Sequence, residues 1–254
     1  MNTAIKKLLD ATSNRLGIAI TRKKADPLGG LVDLINRLET KLVIDVGANA
    51  GQYALALRSH GYGGRIESFE PVAAPYAAAV SAASLDARWN VHNYALGSTE
   101  GTAQIHVAGN AAASSSLLPM LSRHERSAPL SHYVAEETIR VRPLADMADE
   151  LNLVEGVFLK IDTQGFEREV LTGCGDLIPD GVVGVQLELS LLPLYESGPL
   201  AGELINWMAE RQLVVEYAAS GFTDQQTGEL LQFDAVFVHE RFQRSRESSV
   251  SARG

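Results

Sequence analysis

At 254 residues and a net charge of −9, with 46% hydrophobic and 21% charged residues, the sequence has the balance of an ordinary globular chain, long enough to bury one large core without disulfide staples. The acidic balance argues against nucleic acid as the main partner, no run nears the roughly 18 apolar residues of a membrane span, and Cys174, the only cysteine, excludes an intrachain disulfide. With no apolar h-region at the N-terminus, the expectation is a reducing, cytoplasmic location.

Residues Met1 to Lys24 carry Ile5, Leu8, Leu9 and Leu16 at helical spacing, together with Lys6, Lys7, Arg15, Arg22, Lys23 and Lys24. The pattern predicts an N-terminal helical extension over residues 1–40 that packs on the main domain. Its basic face also suits peripheral contact with an anionic membrane, which would place the protein at the inner face of that membrane. Asp26-Pro27-Leu28-Gly29-Gly30 is a break, after which Leu31, Leu34, Ile35 and Leu38 define one face of a further helix.

The main domain is expected over residues 41–240. Leu42 to Val46 is a strand, Gly47 to Gly51 a glycine turn, and Tyr53 to Ser59 a helix. Arg65 to Phe69 is the second strand, Val72 to Leu85 an alanine-rich helix, and Trp89 to Ala95 a third strand. Three strand–helix alternations in a row predict an α/β protein with a parallel, doubly wound sheet. The rhythm then breaks over residues 99–142. Short alternating runs at Ala103 to Val107 and Glu137 to Val141 predict an antiparallel pair, and the serine-rich loop between them an ordered lid. Beyond it, Pro143 to Leu151 is expected as a helix, Val157 to Ile161 as a strand, Phe166 to Leu171 as a helix, Gly181 to Leu187 as a strand and Leu200 to Glu210 as a helix. Leu213 to Ala218 and Phe233 to His239 have no room between them for a packed helix. They must form a hairpin that adds an antiparallel strand to the sheet. Residues 241–254 are polar and expected to fray.

Seven mostly parallel strands ending in an antiparallel hairpin are similar to the class I S-adenosylmethionine-dependent methyltransferases, a Rossmann-like fold. The glycine turn agrees. A Gly-x-Gly-x-x-Gly turn for a pyrophosphate would need glycines where this chain has Gly47, Asn49 and Gln52. S-adenosylmethionine carries no phosphate and needs only Gly47 and Gly51 to make room. Asp45 can face its ammonium group. Glu70, 23 residues beyond Gly47 at the end of the second strand, can accept hydrogen bonds from both ribose hydroxyls. Tyr53, Trp89 and Tyr195 offer rings to stack on adenine or a sugar. The candidate cofactor-binding residues are therefore Asp45, Gly47, Asn49, Gly51, Tyr53 and Glu70.

For the acceptor, Asp162 and Glu188 end neighbouring strands at the edge where ligands collect. Either could serve as base, bind sugar hydroxyls, or help to hold Mg²⁺ as oxygen ligands. His132 and His124 fall in the lid, where an imidazole suits a general base. Asp162, Glu188 and His132 are the catalytic candidates, with Ser115 and Ser116 as further hydrogen-bonding groups for a sugar.

Together, Val43-Ile44-Asp45-Val46-Gly47-Ala48-Asn49, Phe69-Glu70-Pro71, Ala95-Leu96-Gly97, Ser114-Ser115-Ser116, Leu159-Lys160-Ile161-Asp162 with Gly165 and Glu167, Val185-Gln186-Leu187-Glu188-Leu189-Ser190 and Phe233-Asp234-Ala235-Val236-Phe237 resemble the FkbM-type O-methyltransferases over about Leu31 to His239. The resemblance implies methylation of a sugar or polyketide hydroxyl. The serine-rich insertion is similar to members acting on deoxyhexoses of bacterial glycolipids and lipo-oligosaccharides, so the implied partner is a small-molecule or glycolipid acceptor. One departure stands out: many members have Val-Glu-Gly after the Ile-Asp pair, and this chain has Thr163-Gln164-Gly165. No acid or metal role carries over to Gln164. Two readings remain open beside this one: a nicotinamide-dependent oxidoreductase on the same scaffold, and a non-catalytic cofactor-binding module.

Overall fold

The computed structural model describes residues 26–153 and 156–242. The expected helix over residues 1–24, with its membrane contact, and nearly all of the polar tail lie outside the described residues. Among the described residues, no helix is long and apolar enough to cross a membrane.

The chain opens with helix α1 (Pro27–Arg37). Asp26 caps it by accepting a hydrogen bond from the Gly29 N–H at 3.0 Å, and Pro27 sits in the first turn, where its missing N–H costs nothing. Strand β1 (Leu42–Val46), helix α2 (Gln52–Ser59), β2 (Arg65–Phe69), α3 (Ala73–Ala83) and β3 (Trp89–His92) follow in the expected alternation. After the insertion, which holds helix α4 (Ser122–Ser127), come β7 (Val157–Ile161), β8 (Val182–Ser190), β9 (Leu213–Ser220) and β10 (Gln232–His239), with helices α5 (Glu167–Gly173), α6 (Leu177–Asp180) and α7 (Ala201–Ala209) among them. The seven strands form one sheet in the order β3-β2-β1-β7-β8-β10-β9. All neighbours run parallel except β10, which is antiparallel to both β8 and β9. The order reverses between β1 and β7, and the carboxyl ends of those two strands define the crevice where such sheets bind ligands.

Apolar side chains cover both faces. One face packs Leu42, Ile44, Val46, Leu159, Ile161, Val185, Leu187, Ala235 and Phe237 against α5 and α7. The other packs Val43, Ile66, Phe158, Val236 and Val238 against α1 and α2. Side chains alternate along a strand, so this second face also receives every second residue towards the carboxyl edge. There the residues change character: Ser68 and Glu70 follow Ile66, Asp45 and Gly47 follow Val43, and Lys160 and Asp162 follow Phe158. One sheet face is apolar at the bottom and polar at the top, and the polar half is where the site lies.

The insertion is a second, three-stranded sheet of β4 (Ala95–Leu96), β6 (Tyr133–Arg142) and β5 (Gly101–Ala108) in that order, with β5 and β6 antiparallel as expected. Two expectations need correction. The run Trp89 to Ala95 is not one strand: it leaves the large sheet after His92 and resumes as β4 in the small one. Residues 143–151 form no α-helix, only a 3₁₀ turn at Ala145–Met147 followed by turns. Leu144, Met147 and Leu151 are buried at helix-like spacing, which successive turns supply as well as a helix does.

Candidate functional site

A cavity of about 480 Å³ opens at the carboxyl edge, inside the range of ~300–1,000 Å³ usual for small-ligand sites. One end lies over the β1 and β2 termini, where Val46, Gly47, Asn49, Phe69, Glu70 and Val72 line it. The other lies over β7, β8 and β10, with Lys160, Asp162, Gln164, Gln186 and Asp234. The lid segment contributes Ala112, Ala113, Ser115, Ser116 and Leu117.

The glycine turn is held by its own amides. Gly47 and Ala48 donate to the Phe69 carbonyl at 3.0 and 3.1 Å, and Gly51 donates to the Ala48 carbonyl at 2.9 Å. Asn49 donates its N–H to Glu70 Oε2 at 2.8 Å, and Ala50 donates to Asn49 Oδ1 at 2.7 Å. Every backbone N–H from residue 47 to 51 thus has a partner within the turn or on the end of β2. Gly47 is left-handed at φ 72°, and a Cβ there would fall on the Asp162 carbonyl oxygen, so only glycine lets β1 and β7 close this tightly. Glu70 accepts from both Asn49 and Val72, whose N–H lies 2.9 Å from Oε1. Burial outweighs these two bonds and pushes its pKa up to about 7.

Lys160 links the two ends. Its Nζ donates to the Gly47 carbonyl at 3.0 Å and lies 3.3 Å from Asp45, 3.6 Å from Asp162 and 5.5 Å from the centre of the Tyr53 ring. Burial opposes its charge, but the Asp45 and Asp162 carboxylates prevail and raise its pKa. Tyr53 in turn donates to Gln186 Oε1 at 2.9 Å.

At the far end, the Gln164 amide nitrogen donates to Asp162 Oδ1 and to Glu188 Oε2, each at 2.8 Å. Its oxygen accepts from the Tyr195 hydroxyl at 2.7 Å. Glu188 Oε2 also accepts from Gln232 Nε2 at 3.0 Å. Burial, then the charges of Asp162, Asp234 and Glu167, raise the Glu188 pKa well above the usual carboxylate range. Asp234 pairs with Glu188 across the β8–β10 ladder, and its pKa is raised chiefly by burial.

Comparison with known proteins fixes the family. The family model described as the Methyltransferase FkbM domain matches residues 45–215. The chain belongs to the FkbM methyltransferase family. It is therefore an S-adenosylmethionine-dependent methyltransferase with the class I fold, as the strand order also has it. No functionally curated protein matches its sequence. Among solved structures, it is similar to the O-methyltransferase TomG from Streptomyces achromogenes in complex with SAM, at 13% identity, TM-score 0.47, and coverage of 94% of this chain and 91% of that one. Similar also are TrmK from M. capricolum in complex with S-adenosyl-homocysteine (9% identity, TM-score 0.47, 85% of this chain and 69% of that one) and magnesium protoporphyrin IX methyltransferase from Synechocystis PCC 6803 with bound SAM (8%, 0.45, 87% and 86%).

The cavity of this methyltransferase suits such a cofactor. An apolar wall of Val46, Phe69, Val72, Leu96 and Ile105 can take a nucleobase, and the buried Glu70 carboxylate lies beside it for a diol. Among the described residues that line it, Lys160 is the only lysine or arginine, and it is already bound to two carboxylates and a carbonyl. Among these described residues, a pyrophosphate would find neither a free cation nor a free backbone amide in the Gly47–Gly51 turn.

Of the site residues named from the sequence, Gly47, Asn49, Tyr53, Glu70 and Asp162 line the cavity. Four candidates do not. Asp45 is fully buried and faces Lys160 and Ser68, so it acts on the cavity only through Lys160. Gly51 is left-handed at φ 84°, and a Cβ there would lie 2.7 Å from the Trp89 ring; it makes room for core packing. Glu188 is turned towards Gln164 and Gln232. His132 is exposed on the lid, its Nδ1 3.0 Å from the Pro129 carbonyl. The other lid histidine, His124, is buried edge-on to Tyr195, and burial lowers its pKa to about 4. Trp89 is core, donating to Ser68 Oγ at 3.0 Å. Ser116 spends its hydroxyl on the Gln164 carbonyl at 2.7 Å. Among the described residues, no group of three or more His, Cys, Asp or Glu side chains could hold a metal ion. Between Asp162 and Glu188, the pair that could have held Mg²⁺, stands the Gln164 amide nitrogen, which offers protons rather than lone pairs.

Lys160, Gln164, Gln186 and Asp234 were not singled out as site residues by the sequence. For Lys160 a signal existed: a lysine inside the otherwise apolar strand Val157–Ile161 must find partners or lose its charge.

Proposed function

We propose that the protein transfers a methyl group from S-adenosylmethionine to a hydroxyl oxygen, most readily that of a sugar in a glycolipid or oligosaccharide. The observation that carries this reading is Asp162: it lines the cavity with 37% of its side chain exposed, and Gln186, Thr163 and Ser115 line the same cavity. Amides and hydroxyls both donate and accept, which suits an acceptor rich in hydroxyl groups. Bound here, S-adenosylmethionine would supply a methyl group already activated by its sulfonium. The chain's own residues must then hold the acceptor oxygen in line and receive its proton. Asp162 would take that role: as the C–O bond formed and the C–S bond broke, the hydroxyl proton would pass to its carboxylate, and S-adenosylhomocysteine and a methyl ether would leave. A general base of this kind contributes roughly 10²–10⁴ in rate. Glu70 would accept from the cofactor ribose, and Gly47, Asn49 and Tyr53 would frame it.

The test is to incubate the protein with labelled S-adenosylmethionine and separate lipid, carbohydrate and RNA extracts. A labelled sugar methyl ether is the expected product. Label appearing only in RNA, or only on nitrogen, would overturn the reading.

A further inference from the structure

Gln164 stands three residues beyond the end of β7, as Asn49 stands three beyond the end of β1, and both are left-handed, at φ 55° and 47°. Asparagine tolerates that conformation; glutamine is seldom found there. The strained backbone delivers the Gln164 side chain to a point where four segments meet. Its nitrogen has two protons and gives one each to Asp162 on β7 and Glu188 on β8. Its oxygen takes the Tyr195 hydroxyl, so the amide has only one workable orientation. Its backbone carbonyl takes the Ser116 hydroxyl from the lid, and Tyr195 itself bridges back to Met120 of the insertion. Gln164 is buried, at 8% exposure.

We propose that Gln164 is the positioning residue of the acceptor end: its amide, locked by Tyr195, holds the Asp162 and Glu188 carboxylates side by side and ties the lid to them. This rests on the reading of Asp162 as the proton acceptor. The charged and titratable groups that face the pair are Lys160 on β7, Asp45 on β1, Asp234 on β10, Glu167 on α5 and the Tyr195 phenol. Against that mostly acidic surround, among the described residues, the Gln164 amide is the neutral group that donates to both carboxylates at once. Replacing it with a third carboxyl adds an acid where a neutral donor stood, so the cluster binds a proton more tightly than it does with the amide.

The experiment compares wild type with Gln164→Asn, Gln164→Glu and Tyr195→Phe. Initial rates of labelled methyl transfer from S-adenosylmethionine to the crude lipid and carbohydrate extract are followed from pH 5 to 9, with S-adenosylhomocysteine affinity measured by calorimetry. Gln164→Asn fits the left-handed backbone but is too short to reach both carboxylates. It should keep S-adenosylhomocysteine affinity within about threefold and lose at least tenfold in rate. Gln164→Glu should move the acid limb of the rate profile up by about one pH unit or more, because the base now holds its proton longer. Tyr195→Phe, which frees the amide without removing it, should lose less than Gln164→Asn. Unchanged rates and limbs, or rate and affinity lost in parallel, would overturn the proposal. If wild type labels no hydroxyl at all, the O-methyl reading fails, and the positioning role is decided by thermal unfolding. The Gln164→Glu carboxyl cluster has folded pKa values raised further, so its stability must fall away from wild type as pH rises from 5 to 8. Equal slopes would then overturn the role as well.

Discussion

The two ends of the cavity are built by different means. The end over β1 and β2, proposed here for the cofactor, is made of backbone: five consecutive amides from Gly47 to Gly51 are satisfied by the turn itself, the Phe69 carbonyl and the single carboxylate of Glu70. The other end, proposed here for the acceptor, is made of side chains: Asp162, Gln164, Glu188, Tyr195 and Gln232 come from four stretches of chain and hydrogen-bond to one another through their polar groups. A backbone-built end tolerates few changes of shape. A side-chain-built end can be altered in chemistry while the frame stays folded, which is how one fold serves many acceptors.

The largest effect is expected from breaking the frame. Gly47→Ala adds a left-handed strain and an overlap with the Asp162 carbonyl, together on the order of 3 kcal/mol. It should cost most of the folded protein or all measurable S-adenosylhomocysteine binding; normal binding in a thermal-shift assay would contradict the account of the turn.

Next comes Glu70→Ala, which removes the carboxylate and leaves the Asn49 and Val72 amides without it; calorimetry should show S-adenosylhomocysteine affinity at least about tenfold weaker. The same residue gives a pH dependence. Its pKa is raised from 4.5 to about 7 in the free protein. The stability it contributes is thus fully present below pH 4.5 and is lost as pH rises through 7. Ribose hydroxyls donate to the ionised form, so the thermal shift given by S-adenosylhomocysteine should be larger at pH 8 than at pH 6. A shift independent of pH would remove Glu70 from the ribose.

Gly51→Ala should act on the core alone, costing about 1–2 kcal/mol through its φ and the Trp89 ring while cofactor affinity stays within about threefold. The smallest effect belongs to His132→Ala: on an exposed lid position away from the cavity, it should change rate by less than about twofold. A large loss there would mean that the lid closes further than this structure shows.

This contrast explains what could be read from sequence. Gly47, Asn49 and Glu70 belong to a strand–turn–helix unit and the strand beside it, and local patterns of apolar runs and glycines reveal such units. The seven-stranded sheet and its final hairpin were legible for the same reason. Gln164 was legible only as a departure from its relatives; its meaning depends on Tyr195 and Glu188, 31 and 24 residues away along the chain. Asp234 reaches the cavity because β10 runs antiparallel to β8, which brings the start of that strand to the carboxyl edge of the sheet, and no local pattern carries that pairing. Asp45 and Gly51 were misplaced because a buried ion pair with Lys160 and a tryptophan packed on a helix start look, in sequence, like ligand contacts.

The claim that the two ends are separate machines, one for the cofactor and one for the acceptor proton, is tested most directly on Asp162→Asn. Methyl transfer to the sugar acceptor should fall by about 100-fold or more, while S-adenosylhomocysteine affinity by calorimetry stays within about threefold. Transfer at the wild-type rate, or affinity lost together with transfer, would contradict it.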